Sequence, residues 1–466
     1  MRIEQLGLRE LHQRLRTREL SAYSLMQACA ENYARHEPAI NAYKTWNGEA
    51  ALRIAQAADT LIQSGIDLGP LMGIPVSVKD LYAVPGLPTY AGSSEKLPEA
   101  WELPGELMQA VLRQAALVTG KTHTVEFAFG GIGINAHWGT PINPWAAANE
   151  PRIPGGSSSG AGVSLSQGSA LLALGTDTAG SVRIPASVTG NIGLKTTQGR
   201  WPGSGIVPLS TTLDTPGILT RSVDDAVFAF TAIESMLTGK RAQIDELESL
   251  QGIRFGVPQH FFWDDADPSV VSVVEAAIQR IEALGGRISP VQLPNCEIVY
   301  EIFKAGGLAA SELSAFLKLT MPEKINSLDP VVKLRVEGAE SISSVEYLRR
   351  CELLKQASRE AAQFFSQVDA LLTPTVAISP PKVADLQDSE IYRQANMKVL
   401  RNASISNLMG LCALSMPVGK DNQQMPVGLQ LTCGPRQEEK LLAISALLEK
   451  KMGRPIDVLG PHPLLL

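Results

Sequence analysis

Ile253-Arg254-Phe255-Gly256-Val257, followed by Asp267-Pro268 and then by Gly285-Gly286 with Val291 beyond, is the stretch whose reading decides the fold. The first five residues read as a short strand. Asp267-Pro268 is a helix cap and a first-turn proline, whose fixed φ and missing N–H suit that position. Val270, Val274, Ile278 and Ile281 then recur at helical spacing and make one apolar stripe. The glycine pair stops the helix, and a second strand follows near Val291. Strand, helix, strand is a βαβ unit, which requires parallel strands with the helix laid on the sheet. The class is therefore α/β.

Outward from this unit, Ala370-Leu371-Leu372, ending at Thr373-Pro374, reads as another inner strand, as do Met425–Leu431 and Leu171-Leu172-Ala173-Leu174. Trp101–Thr119 reads as a helix leading into Gly120-Lys121. Residues 1–65 read as helices with polar faces, among them Leu8–Leu20 and Ser24–His36. Met1-Arg2-Ile3-Glu4-Gln5 opens a charged amphipathic helix without a secretory apolar core. With no internal repeat, low-complexity tail or clear linker, residues 1–466 are expected to form a single domain.

The 466 residues carry a net charge of −6, with 44% hydrophobic and 19% charged residues, an ordinary globular balance with ample core. No lysine–arginine cluster is present, so direct nucleic-acid partners and anionic membrane surfaces are not expected. Ala403–Gly419 is uncharged but carries Asn, Ser, Gly and Pro, which argues against a membrane span. Cys29, Cys296, Cys351, Cys412 and Cys433 are scattered, as befits thiols of a reducing cytoplasm. Six scattered histidines show no metal-binding spacing, and no metal is expected.

Chemistry concentrates in the centre. Gly155-Gly156-Ser157-Ser158-Ser159-Gly160-Ala161-Gly162 precedes an apolar run, and Gly175-Thr176-Asp177-Thr178-Ala179-Gly180-Ser181-Val182-Arg183 follows it. Glycine lets a substrate approach the backbone and serine supplies hydroxyls. A phosphate loop fits poorly, because Gly160 is followed by Ala161-Gly162 where the Walker pattern needs lysine and a hydroxyl. Gly156-Ser157-Ser158-Ser159-Gly160 has the form of a nucleophile elbow centred on Ser158, which would make an esterase of the α/β-hydrolase kind. The elbow needs a preceding strand, and Pro151 and Pro154 forbid one there. The third reading joins Ser157 and Ser181 to Lys79. Ile74-Pro75-Val76-Ser77-Val78-Lys79-Asp80 alternates as a strand, with Val76 and Val78 on one face and Ser77 and Lys79 on the other. A lone strand-end lysine is ordinarily a solvated edge residue. A desolvated one is a base able to activate serine.

Gly73–Asp80, the two serine clusters and Gly193-Leu194-Lys195-Thr196 together resemble the amidase signature family. Gly120-Lys121-Thr122, Glu126-Phe127-Ala128, Asn143-Pro144-Trp145, Leu213-Asp214-Thr215-Pro216-Gly217, Met416-Pro417-Val418-Gly419 and Met425–Gln430 extend the resemblance over nearly the whole chain, with 70–225 as its signature region. It implies a single α/β/α domain around a central mixed, mostly parallel twisted sheet. It also implies a Ser–cis-Ser–Lys triad: Ser181 as nucleophile, Ser157 as bridge after a cis Gly156–Ser157 peptide, and Lys79 as base. Backbone N–H groups of Thr178, Ala179, Gly180 and Ser181 would form the oxyanion hole. Tyr82, Phe129, Gly130, Gly131 and Ile132 stand where relatives line the acyl pocket, and Ser158 adjoins the triad.

Asp177 and Arg183 read as a buried pair bracing the nucleophile loop. Ser158 and Ser159 read as caps of the following helix or as cavity lining. Asp80 is a candidate to hold Lys79, and Asp214 reads as structural. His123 departs from the asparagine common in relatives, and Ala179 from the common glycine. The resemblance implies a cytoplasmic, cofactor-free amide hydrolase acting on a small carboxamide, and it leaves self-association open. Its alternative is the glutaminase component of a tRNA-dependent amidotransferase. Against that stands Met397–Ala403, which has no acid where those proteins read the glutamine amino group.

Overall fold

The computed structural model describes residues 6–465; the expected helix start at Met1–Gln5 lies outside them. Eleven strands form one sheet: β1 (Tyr43–Trp46), β2 (Pro75–Lys79), β3 (Leu117–Thr122), β4 (Leu172–Asp177), β5 (Ile192–Lys195), β6 (Thr215–Thr220), β7 (Arg254–Pro258), β8 (Arg287–Val291), β9 (Ala370–Pro374), β10 (Cys412–Lys420) and β11 (Pro426–Cys433). Their order is β1-β3-β2-β4-β6-β5-β10-β11-β9-β7-β8.

The βαβ unit is present. Asp267 caps the helix Pro268–Ala283 through its carboxylate and the Ser269 N–H at 2.9 Å, and β7 pairs parallel with β8. Val270, Val274, Ile278 and Ile281 are all buried. Each such side chain contributes about 1.5–3 kcal/mol on burial, so docking of the stripe outweighs the weak helix propensity of its β-branched residues.

The sheet departs from the expected parallel majority. β3-β2-β4 and β9-β7-β8 are parallel, but every pairing from β4 through β6, β5, β10 and β11 to β9 is antiparallel, as is β1 with β3. Two parallel wings thus flank an antiparallel centre. For β10 and β11 the reason is connectivity: they are a hairpin, joined by a five-residue turn that leaves no room for a parallel crossover.

Two further expectations change. The helix expected over Trp101–Thr119 is confined to Glu106–Leu112, and 117–122 is β3. In the N-terminal region, Leu8–Arg16, Ala22–Ile40 and Gly48–Gln63 are helical, but β1 interrupts them as an edge strand.

Side-chain alternation produces the layers. Ala173 and Leu219 point to a small cluster with Ala161, Leu165, Val182 and Ala186, from the helices Ser159–Gln167 and Arg183–Thr189 and the residue before the second. Leu172, Leu174 and Ile218 point the other way, into the main core with Phe230 and Leu441. Helices cover both faces, which is the α/β/α arrangement. The small residues of Ser159–Gln167 let it approach closely: a Cβ on Gly160 would strike the Ala42 carbonyl and the His123 N–H.

Candidate active site

β2 and β4 run side by side and parallel, so their carboxyl ends deliver Lys79 and Thr176-Asp177 to the same edge, the usual location of a site in such sheets. Ser77 and Lys79 share a face, as the alternation predicts. The Ser77 hydroxyl pairs with Ser164 of the helix Ser159–Gln167 at 2.9 Å, and Lys79 reaches the loop that begins this helix.

Lys79 has no exposed surface. Its Nζ donates to Ser157 Oγ at 2.7 Å and to Thr176 Oγ1 at 2.8 Å, with the Thr176 carbonyl at 3.5 Å. Burial pulls its pKa down to about 7, against the opposing pull of Asp214 and then Asp177. A lysine of this kind exchanges its proton near neutral pH. Asp80 does not hold it. That carboxylate is paired with buried Lys121 at 2.9 Å and accepts the Tyr90 N–H.

The Gly156–Ser157 peptide is cis, as the resemblance implies. The Ser157 carbonyl accepts the N–H groups of Val125 and Ser159, and the Gly156 N–H donates to the Gly131 carbonyl. Ser181 lies across the loop from Ser157, where its carbonyl accepts the Ser158 N–H at 3.2 Å. Ser181 lines a cavity of about 590 Å³ together with Thr178, Ala179, Phe129 and Gly130. Lys79 and Ser157 are thus in direct contact, while Ser181 lines the cavity and is tied by its backbone to Ser158, the neighbour of Ser157.

Asp177 and Arg183 form the expected buried pair. Arg183 binds the Asp177 carboxylate through Nη2 at 2.9 Å and Nε at 3.0 Å. Burial alone would raise the Asp177 pKa; Arg183, Lys195 and Asn407 outweigh it and hold the carboxyl well below the usual range. The same carboxylate accepts the Gly180 N–H at 2.6 Å and the Val182 N–H at 3.1 Å. Of the four N–H groups expected to form an oxyanion hole, that of Gly180 is therefore already committed to Asp177. Gly180 is instead required by shape. Its φ is +120°, and a Cβ there would press on Ala403 and Ile184.

The expected acyl pocket is only partly found. Phe129 and Gly130 line the cavity. Tyr82 does not: it is fully buried and its hydroxyl donates to the Gly175 carbonyl at 2.7 Å, so it is a core residue. Ile132 does not line the cavity and packs into a cluster with Ile153, Ile184 and Val188. The Gly131 N–H donates to Asn396, and its carbonyl accepts from Gly156. Ser158 is buried and donates to the Thr176 carbonyl at 3.3 Å, so it fits neither a nucleophile elbow nor a side-chain cap of the following helix. Ser159 Oγ is also not a cap; it has no hydrogen-bond partner. Buried His123 faces Asn41, and burial lowers its pKa to about 4.

The far wall carries no sequence motif. Residues 303–310 and 338–343 close the cavity, and Arg335, Asn396 and Leu400 face it. Arg335 donates to the Phe129 carbonyl at 2.6 Å and lies 5.0 Å over the Phe129 ring. Among the described residues no carboxylate pairs with it. Thr176 was legible, being a hydroxyl at the end of the strand beside that of Lys79. Arg335 had no such signal, because it lies far from every motif in the chain.

Among the described residues no cluster of His, Cys, Asp and Glu could hold a metal, and no helix is long and apolar enough to cross a membrane.

A buried lysine on one serine, with a second serine lining the neighbouring cavity, suits transfer of an acyl group to oxygen and then to water. Fold and site together define a hydrolase built on an α/β/α scaffold. A family model described as Amidase matches residues 24–442. A 2-amino-5-chloromuconic acid deaminase of Comamonas testosteroni is 57% identical over 460 residues, covering 99% of each chain. A glutamyl-tRNA(Gln) amidotransferase subunit of Geobacter sp. (strain M21) is 29% identical over 97% of this chain and 98% of its own. The crystal structure of an amidase superposes with a TM-score of 0.87 at 29% identity, over 96% of this chain and all of that one. The chain belongs to the amidase family, and amide C–N hydrolysis is its chemistry.

Proposed function

We propose that Ser181 is the nucleophile, Ser157 the bridging hydroxyl and Lys79 the base, and that the substrate is a small acid whose C–N bond is cleaved with release of ammonia. The 2.7 Å contact between Lys79 Nζ and Ser157 Oγ carries the first part. Neutral Lys79 takes the Ser157 proton as Ser157 takes that of Ser181, whose oxygen bonds to the carbon bearing nitrogen. The N–H groups of Thr178, Ala179 and Ser181 receive the developing negative charge; one such donor is commonly worth about 3–4 kcal/mol. The relay then returns its proton to nitrogen, the C–N bond breaks and ammonia leaves. Water attacks the same carbon of the serine-bound intermediate, which is an acyl ester from an amide and a vinylogous ester from an aminodienoic acid; the relay returns a proton to Ser181, and the product carries oxygen where nitrogen was.

Arg335 supports the second part. A guanidinium at a cavity wall that forms no salt bridge among the described residues is costly, and burial lowers its pKa although Asp329 acts the other way; a substrate carboxylate would relieve that cost. The Comamonas relative is named for an amino-substituted muconic acid, a dicarboxylate. In such a dienoic acid the amino lone pair is conjugated to the distal carboxyl, so the C–N bond has the delocalised character of an amide. The amidotransferase reading is not favoured, since the deaminase at 57% identity is far nearer than the amidotransferase relative at 29%. The five cysteines, all free thiols, support a cytoplasmic setting.

The test is ammonia release from 2-amino-5-chloromuconic acid and from benzamide by the wild-type protein and the Ser181→Ala and Lys79→Ala variants. Both variants should lose activity by at least about a thousandfold. Near-wild-type turnover by Ser181→Ala overturns the triad. A preference for benzamide over the diacid overturns the substrate class.

A further inference from the structure

Asp214 lies immediately before β6, and its two oxygens are used in different directions. Oδ1 accepts the Thr178 hydroxyl at 2.5 Å. Oδ2 accepts the backbone N–H groups of Leu209 and Ser210 at 2.9 and 3.0 Å. Thr178, Leu209 and Leu213 all line the cavity, so one carboxylate ties the start of the oxyanion segment to the opposite lip. The lip is held from outside as well. Glu312, on the helix Ala309–Thr320, accepts the Ser210 hydroxyl at 2.6 Å and the Thr212 N–H at 3.0 Å. Next in the chain, Thr215 donates its hydroxyl to the Asp177 carbonyl at 2.7 Å.

We propose that Asp214 is a positioning residue of the hydrolytic site: through the Thr178 hydroxyl it fixes the donors at Thr178 and Ala179. The assignment rests on the triad reading above. Two carboxylates act on Lys79, with Asp214 ahead of Asp177. Asp177 is the less available of the two, since Arg183 and Lys195 both face it. Asp214 is opposed by no cation but Lys79 among its leading interactions. Burial raises its own pKa to about 6, and Thr178, Ser210, Leu209 and Lys79 pull the other way. An anion beside Lys79 favours the ammonium form, so removing the charge lets the lysine lose its proton at lower pH.

The experiment is the pH dependence of inactivation by phenylmethanesulfonyl fluoride, with the modified residue located by peptide mass analysis. This needs no knowledge of the substrate. In the wild-type protein the rate should rise with pH through the Lys79 transition. Asp214→Asn should move that transition to lower pH and lower the plateau by about tenfold or more through misplaced oxyanion donors. Asp214→Glu keeps the charge and should restore the midpoint while the plateau stays low. Thr178→Val removes the hydroxyl alone and should lower the plateau without moving the midpoint. A plateau of wild-type height in Asp214→Asn, with the adduct on Ser181, overturns the role of Asp214 and leaves the triad standing. A wild-type protein with no adduct on Ser181 overturns the triad itself. Should Asp214→Asn lack a cooperative thermal transition, the Asp214→Glu and Thr178→Val pair decides. Plateaus of wild-type height in both variants overturn the proposal.

Discussion

Replacing Arg335 by Met removes the cavity cation that pairs with no described carboxylate while keeping a long apolar stem over Phe129. A hydrogen bond to a charged group is worth about 1.5–3 kcal/mol. At about 1.4 kcal/mol per decade, kcat/KM for a carboxylate substrate should fall by about 10- to 150-fold. The contact exists in the bound ground state and the transition state alike, so the loss should appear in KM. The Phe129 carbonyl loses its 2.6 Å donor, and stability should fall by about 1 kcal/mol. Steady-state ammonia release, measured in parallel on 2-amino-5-chloromuconic acid and on benzamide, separates recognition from damage. Only the diacid should suffer, and Arg335→Lys should recover part of the loss because it keeps charge without the planar fork. Equal losses on both substrates, or a fall in kcat at constant KM, would refute the reasoning.

Because Lys79 must be neutral to act as base and has its pKa near 7, kcat/KM should fall about tenfold for each pH unit below that point; a flat profile from about pH 5 to 8 excludes Lys79 as base. Asp177→Asn strands the buried Arg183 and should cost about 3–5 kcal/mol, read as a large drop in the thermal midpoint. Since the Asp177 carboxyl is held below its unfolded value of about 3.9, its stabilisation is full above that pH and is lost as pH falls further, so the wild-type and Asp177→Asn stabilities should converge in acid. Tyr82→Phe should lower stability by about 1–2 kcal/mol through the Gly175 carbonyl and leave KM unchanged, as a core position requires. Ser158→Ala should keep most activity, whereas a nucleophile would not.

Motif-bearing residues close together at strand ends were readable because their chemistry and their local geometry coincide. Lys79 is an example: period-two alternation put it on the face of Ser77, and that face meets the serine loop. Strand and helix could not be separated where apolar runs are short. Ala115-Ala116-Leu117-Val118 continues the apolar pattern of the preceding helix, yet it crosses into β3. Pro417 argues against an inner strand, and β10 accommodates it by a register shift between Pro417 and Gly419, which no local pattern announces. The family resemblance put Tyr82 at the pocket, while the turn after β2 sends its ring into the core. The Gly180 donor was lost for a comparable reason, since only three-dimensional placement shows that Asp177 has taken it. Arg335 and Asn396 belong to the cavity through tertiary packing alone.

The order of the strands has a consequence for biosynthesis. Four strands, β6, β5, β10 and β11, lie between the two parallel wings, and the last two come late in the chain yet sit between β5 and β9. Until the ribosome has released residues 412–433, the edges of β5 and β9 have no neighbours, and open edges of this kind invite pairing with other chains. Gln430, which with Asn407 holds Arg183 in place, arrives in the same interval, and Asn407 just before it. A growing polypeptide therefore carries Arg183 long before its last partners can brace it, and the seam that covers these open edges also brings the brace.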